Sequence, residues 1–118
     1  MKTSYIDIAQ KRYPMCLTLK TARKMDERYD GLENIDSAFT GKKTMAMLDE
    51  AIFILSALLE GGYDYTRTSG QEAEQPPNKD ELECLFGMDD LGGLTEVLLA
   101  GMSAGTVQTV EVEPEKNG

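Results

Sequence analysis

The chain has 118 residues, a net charge of −9, 41% hydrophobic and 28% charged side chains; this is the composition of one globular domain with a modest core, not of a disordered tail or a fibre. Charge is uneven, with nine basic and six acidic side chains in residues 1–48 against three basic and fifteen acidic in residues 49–118. The acidic second half repels phosphate backbones, which argues against nucleic-acid binding there, and the longest apolar run, Ala51 to Leu59, is about half of what a membrane span needs.

Residues 4–19 alternate with period two. Ile6 and Ile8 share one face, and Tyr13, Met15, Leu17 and Leu19 share the same face on a return strand. The pattern predicts a hairpin turning over Ala9 to Arg12. That turn sequence is weak, because two-residue loops need positive φ and usually recruit Gly or Asn. Pro14 suits an edge position, and a lone hairpin must lie on helices to persist. Thr18 or Thr21 then caps a helix running to about Asp30, with Ala22, Met25 and Tyr29 on one face and Gly31 as terminator. Its basic residues are interspersed with acids, which reads as a solvated face with local ion pairs.

A short helical segment is expected around Asn34 to Phe39, ended by Gly41. The strongest element follows, from about Lys42 to Glu60. Met45, Leu48, Ile52, Leu55 and Leu59 recur at helical spacing, and Ala51 to Leu55 is apolar on all sides, which predicts a central helix covered on more than one face. Gly61-Gly62 weakens or ends it, although Tyr63 and Tyr65 can extend it to about Arg67. Residues 68–79 form a polar, proline-containing linker. Asn78 with Glu81 predicts a capping box for a helix from Lys79 to Phe86, closed by Gly87. Asp89 and Asp90 suit the start of a last helix carrying Leu91, Leu94, Leu98 and Met102, widened by Val97 and Leu99. Its glycines lower its intrinsic stability by roughly 1 kcal/mol each, so it depends on packing. Residues 106–118 read as a flexible acidic tail, with a brief alternation at Val110 and Val112. The fold class is α+β, mainly α: one domain over residues 1–105, with an N-terminal hairpin packed on about four to five helices.

Catalytic chemistry finds little footing. There is no histidine, and the two cysteines, Cys16 and Cys84, both sit in apolar patterns that predict buried, inert thiols. The carboxylate pairs Asp26-Glu27, Asp49-Glu50 and Asp89-Asp90 are adjacent residues that diverge by about 100° on a helix and do not converge across a cleft. The run Asp80, Glu81, Glu83, Asp89, Asp90 lacks the periodicity and central glycine of a calcium loop. The expectation is therefore a non-enzymatic chain without metal or cofactor. No apolar block of signal-peptide kind occurs near the start, which with the free thiols points to a reducing cytosol.

The order of these elements carries a resemblance. A hairpin ending in Leu17-Thr18-Leu19-Lys20, a charged helix closing at Asp30-Gly31, a long helix from Met47 through Ala51-Ile52-Phe53-Ile54-Leu55 to Gly62-Tyr63, a proline-containing linker and the segment Asp80 to Phe86 succeed one another. Over roughly residues 4–104 this resembles the tail assembly chaperones of long-tailed phages and of prophages in Gram-positive bacteria. The departure is the turn, where Asn-Gly or Asp-Gly is expected and Gln10-Lys11 stands. The resemblance implies a protein of the host bacterial cytoplasm that coats the long helical tape-measure protein, recruits tail-tube subunits and leaves before the virion matures. It also implies a longer frameshifted form; Glu115-Lys116-Asn117 can be encoded by an A-rich run, though a plain polar C-terminus explains it as simply.

A partner of that kind needs adaptable apolar grooves between helices. The candidate partner-binding residues are Met45, Leu48, Ile52, Leu55, Leu59, Leu91, Leu94, Leu98 and Met102, and for most of them a place in the chain's own core is the favoured reading, since a chain of this length has little apolar surface to spare. Self-association stays open. Two other classes compete: a structural virion component such as a head–tail connector or minor tail protein, and an acidic DNA mimic. The mimic is disfavoured because many of the acids lie in the linker and tail.

Overall fold

The computed structural model describes residues 3–40, 43–90, 92–100 and 102. A two-stranded N-terminal hairpin precedes a mainly helical remainder, the α+β arrangement expected from the sequence. β1 (Ser4–Ile8) pairs antiparallel with β2 (Lys11–Met15), Ile6 opposite Tyr13 and Ser4 opposite Met15. Ile6, Ile8, Tyr13 and Met15 are buried on the inner face, as the alternation requires. The turn is tighter than expected. It is two residues, Ala9 and Gln10, with φ of 51° and 69°, and the return strand resumes at Lys11. Positive φ at both positions matches the twist of the strands, which outweighs a local cost of about 1–2 kcal/mol for each residue bearing a Cβ. Counting from this loop, Tyr5 and Pro14 form a non-hydrogen-bonded pair, so the missing proline N–H breaks no ladder bond.

The alternation places Leu19 on the hairpin's inner face, and here the structure differs. β2 stops at Met15, Thr18 caps the next helix through a 3.0 Å bond from the Thr21 N–H, and Leu19 opens that helix 86% exposed. Once the chain turns helical, the period-two face no longer applies. Helix α1 (Leu19–Tyr29) buries Met25 and half-buries Ala22 and Tyr29, then ends at Asp30 in the left-handed conformation. Three of its four basic residues pair across to the next long helix and not locally: Lys20 with Asp64 at 3.6 Å, Lys24 with Glu60 at 2.6 Å, Arg28 with Glu50 at 3.0 Å. Spacing of four puts these cations on one α1 face, and the acids of the facing helix meet them there. A 3-10 segment, Leu32–Phe39, follows and buries Ile35. Gly41 and Lys42, its expected terminator and the expected start of the next helix, lie outside the described residues.

Helix α2 (Thr44–Thr68) is the axis of the molecule. Ala51, Ile52, Ile54 and Leu55 are buried and Phe53 half-buried, so the helix is covered on more than one side. It runs unbroken through Gly61-Gly62, both buried. Packing explains the glycines. A Cβ on Gly61 would stand 2.5 Å from the Thr21 hydroxyl and against the Cys16 carbonyl; one on Gly62 would overlap the Pro14 carbonyl and stand 3.0 Å from the Met15 nitrogen. The end of β2 thus lies directly on the backbone of α2, close enough for the Cys16 N–H to donate to the Leu58 carbonyl at 3.1 Å. Thr21, the one buried polar side chain among the described residues, sits in the same joint and donates to the Ala57 carbonyl at 3.4 Å.

After α2 the linker runs without regular structure over residues 71–78, with Glu74 ion-paired to Lys11 of the hairpin. Helix α3 (Lys79–Leu85) starts with the expected capping box: Asn78 and Glu81 each accept the other's backbone N–H at 2.8 Å. A 3-10 turn, Met88–Asp90, precedes helix α4 (residues 92–100 and 102), which sends Leu94 and Leu98 into the core. Leu91, Gly101 and the acidic tail over 106–118 lie outside the described residues.

Three substitutions test this account of the fold. Gly62→Ala should destabilise the fold by about 2–3 kcal/mol in chemical denaturation, despite alanine's higher helix propensity, because the added methyl meets backbone. Gly93→Ala, where nothing lies within 4 Å of the new atom, should stabilise by up to about 1 kcal/mol. Replacing Ala9-Gln10 by Asn-Gly should raise the unfolding midpoint, by about 1 kcal/mol of stability, since those residues accept positive φ without strain.

Candidate functional groove

The structure sorts the nine residues that the sequence offers as a partner surface. Ile52, Leu55, Leu59, Leu94 and Leu98 are at most 4% exposed and build the core. Leu91 lies outside the described residues. Met45 is 62% exposed, while Leu48 and Met102 are half-buried. Met45, Leu48 and the edge of Ile52 come together in one cleft of about 330 Å³ between the N-terminal half of α2 and the end of α3. Its other wall is Phe86 and Met88, the latter 57% exposed.

Local geometry makes this cleft. Met45, Leu48 and Ile52 stand on successive turns of α2, so they form a ridge about 10 Å long. On the other side α3 stops at Leu85, with Phe86 extended at its C-cap, and the chain then turns at Gly87. The Gly87 N–H donates to the Asp90 carboxylate at 2.8 Å, fixing the turn that presents Met88. Phe86 and Met88 are functional candidates that the sequence reading passed over. The signal available was two apolar residues flanking a helix-terminating glycine.

Carboxylates frame the apolar floor. Asp49 stands on the α2 wall and Glu83 on the α3 wall, and among the described residues no basic side chain lines the cleft. Asp49's neighbour Glu50 turns away around the helix, where Arg28 donates to it at 3.0 Å and the Tyr29 hydroxyl at 2.8 Å. The Arg28 guanidinium lies 4.3 Å from the centre of the Phe53 ring, and Tyr29 meets that ring edge-on. Burial, and then the bond to Glu50, push the Tyr29 phenol well above its ordinary range. This cluster clamps α1 to α2. Its phenol is held protonated, the reverse of what a base or nucleophile requires.

Asp26 and Glu27 are exposed on α1, and among the described residues no group of three or more His, Cys, Asp or Glu is placed to hold a metal ion. Cys16 is buried, but Cys84 is exposed, contrary to the expectation from its apolar setting. The reason is angular: α3 buries only Leu82, and a residue two positions on points about 200° away. Cys84 borders a second depression of about 460 Å³ with Tyr13, Pro76, Pro77 and Leu85. That depression is larger but lies open to solvent, and Glu81 on its border is engaged in the capping box. The Met45–Met88 cleft is the better-formed site.

No family model, curated protein or solved structure matches the chain. Function is therefore read from the groove and its surroundings. Among the described residues no helix is long and apolar enough to cross a membrane.

The raised Tyr29 phenol gives a pH dependence with a definite sign. The folded state disfavours tyrosinate, so this contribution to stability is complete below the unfolded value of about 10 and is lost as pH rises above it. Tyr29→Phe should cost about 1 kcal/mol at neutral pH through the lost bond to Glu50. The gap between variant and wild type should narrow under alkaline conditions, as read by denaturant titration across that range.

Proposed function

We propose that the chain is a non-catalytic assembly chaperone that holds an apolar stripe of a helical partner in the cleft between α2 and α3. The observation that carries this reading is the pairing of two flexible, exposed methionines, Met45 and Met88, across a floor made by Leu48, Ile52 and Phe86. Thioether side chains adapt to different apolar surfaces, and a ridge two helical turns long matches side chains at i, i+3 or i+4, and i+7 of a docked helix. Through its resemblance to tail assembly chaperones, the partner is a tape-measure protein, with tail-tube subunits recruited to the complex in the bacterial cytoplasm.

The size of the groove fits coating better than permanent attachment. Two turns of helix bury far less than the roughly 1,200–2,000 Å² of a stable protein interface. One copy therefore grips weakly, and many copies along a long partner supply the avidity. Weak individual contacts also allow release when a competing surface arrives.

Co-expression tests the proposal. The chain should move the large tail-length protein encoded beside it into the soluble fraction. Met45→Asp with Met88→Asp should abolish that effect while leaving the circular dichroism spectrum unchanged, since both side chains stand at the surface. Purified particles should lack the chain by mass spectrometry. A partner that stays insoluble, or stoichiometric recovery of the chain from particles, overturns the reading, the second result in favour of a structural virion component.

A further inference from the structure

We infer that the helix this groove accepts is basic: an amphipathic segment whose apolar stripe is flanked on both sides by lysine or arginine. The inference rests on the docking role proposed for the cleft and adds the chemistry of its occupant. Asp49 on the α2 wall and Glu83 on the α3 wall both line the cleft, and neither has an ion-pair or hydrogen-bond partner among the described residues. Elsewhere α2 does not leave its acids in this state. Along its α1 side Asp64, Glu60 and Glu50 are each matched by a cation of α1. Among the described residues, the groove is the stretch of α2 where acid remains unmatched.

The shape of the cleft selects a helix. Among the described residues no free strand edge lines it, so an extended segment would bring backbone donors and acceptors into apolar surroundings without partners, whereas a helix arrives with its own backbone bonds made. The charge selects the flanks. A phosphate backbone or an anionic lipid surface is repelled by the same carboxylates. Each exposed rim pair contributes about twofold to fivefold in affinity, so two pairs discriminate about tenfold between a basic and an acidic flank.

Fluorescence anisotropy with two designed helical peptides of the same leucine stripe, one flanked by Lys and one by Glu, tests this on the full chain. The Lys-flanked peptide should bind about tenfold more tightly, and the preference should shrink as salt rises. Asp49→Asn with Glu83→Gln should bring the two peptides within about twofold of each other. Asp26→Asn with Glu27→Gln, the same charge removed from the exposed face of α1, should leave the preference intact. Met45→Ser with Met88→Ser should weaken both peptides alike. Equal binding of the two peptides to the wild type, or a preference that survives Asp49→Asn with Glu83→Gln, overturns the inference and leaves the groove's docking role standing. Failure of both peptides to bind, or indifference of both to the methionine replacements, overturns the docking role and the inference with it.

Discussion

The fold depends on one close approach, that of the hairpin's return strand to the backbone of α2 at Gly61-Gly62. Helices ordinarily keep neighbouring backbone at the distance their side chains impose. Here two successive residues lack side chains, and the chain from Pro14 to Cys16 settles into the gap, with its Cys16 N–H bonded to a helix carbonyl. That contact fixes where β2 ends, hence where Thr18 can start α1, and hence the face of α2 along which α1 runs. Thr21 sits at the same joint, its hydroxyl shared between Thr18 and Ala57. The ion pairs further along α1 then confirm a register that the glycine contact has already set.

Much of this was legible in the sequence because the signals are local. The period-two faces of Ile6, Ile8, Tyr13 and Met15, the threonine cap of α1 and the reciprocal bonds of Asn78 and Glu81 involve residues close in the chain, where residue type nearly determines geometry. The misreadings arose where a distant segment decides. Ala9 and Gln10 carry no preference for positive φ; the twist of the strands they join imposes it. Gly61-Gly62 reads locally as a weak point, and the reason it continues the helix lies in the carbonyls of residues 14 and 16. Lys24 has Glu27 three residues on as well as Glu60 across the helix pair, and spacing alone does not choose between them.

The candidate site shows the same division. A stripe from Met45 to Leu59 announces an apolar face but not where along its length that face is covered. The structure covers it from Ile52 onward and leaves its first turns open, because α3 and the turn after it reach only part of the way along α2. Phe86 and Met88 belong to no periodic run, so their convergence on that open end was invisible until the chain's path was known. The exposed position of Cys84 has the same origin, a helix too short for its second face to be covered.

The two walls of the cleft differ in mechanical character. One belongs to a helix of 25 residues embedded in the core; the other hangs from a helix of seven, anchored by a single buried leucine and a pair of cap bonds. A helix that short has almost no stability of its own. Opening it locally forfeits about 3–5 kcal/mol of anchoring, while disturbing α2 would unfold the molecule. The groove therefore has one wall that is fixed and one that yields at lower cost. Under the docking role proposed above, a bulky side chain would displace α3 before it strained α2 or the hairpin behind it.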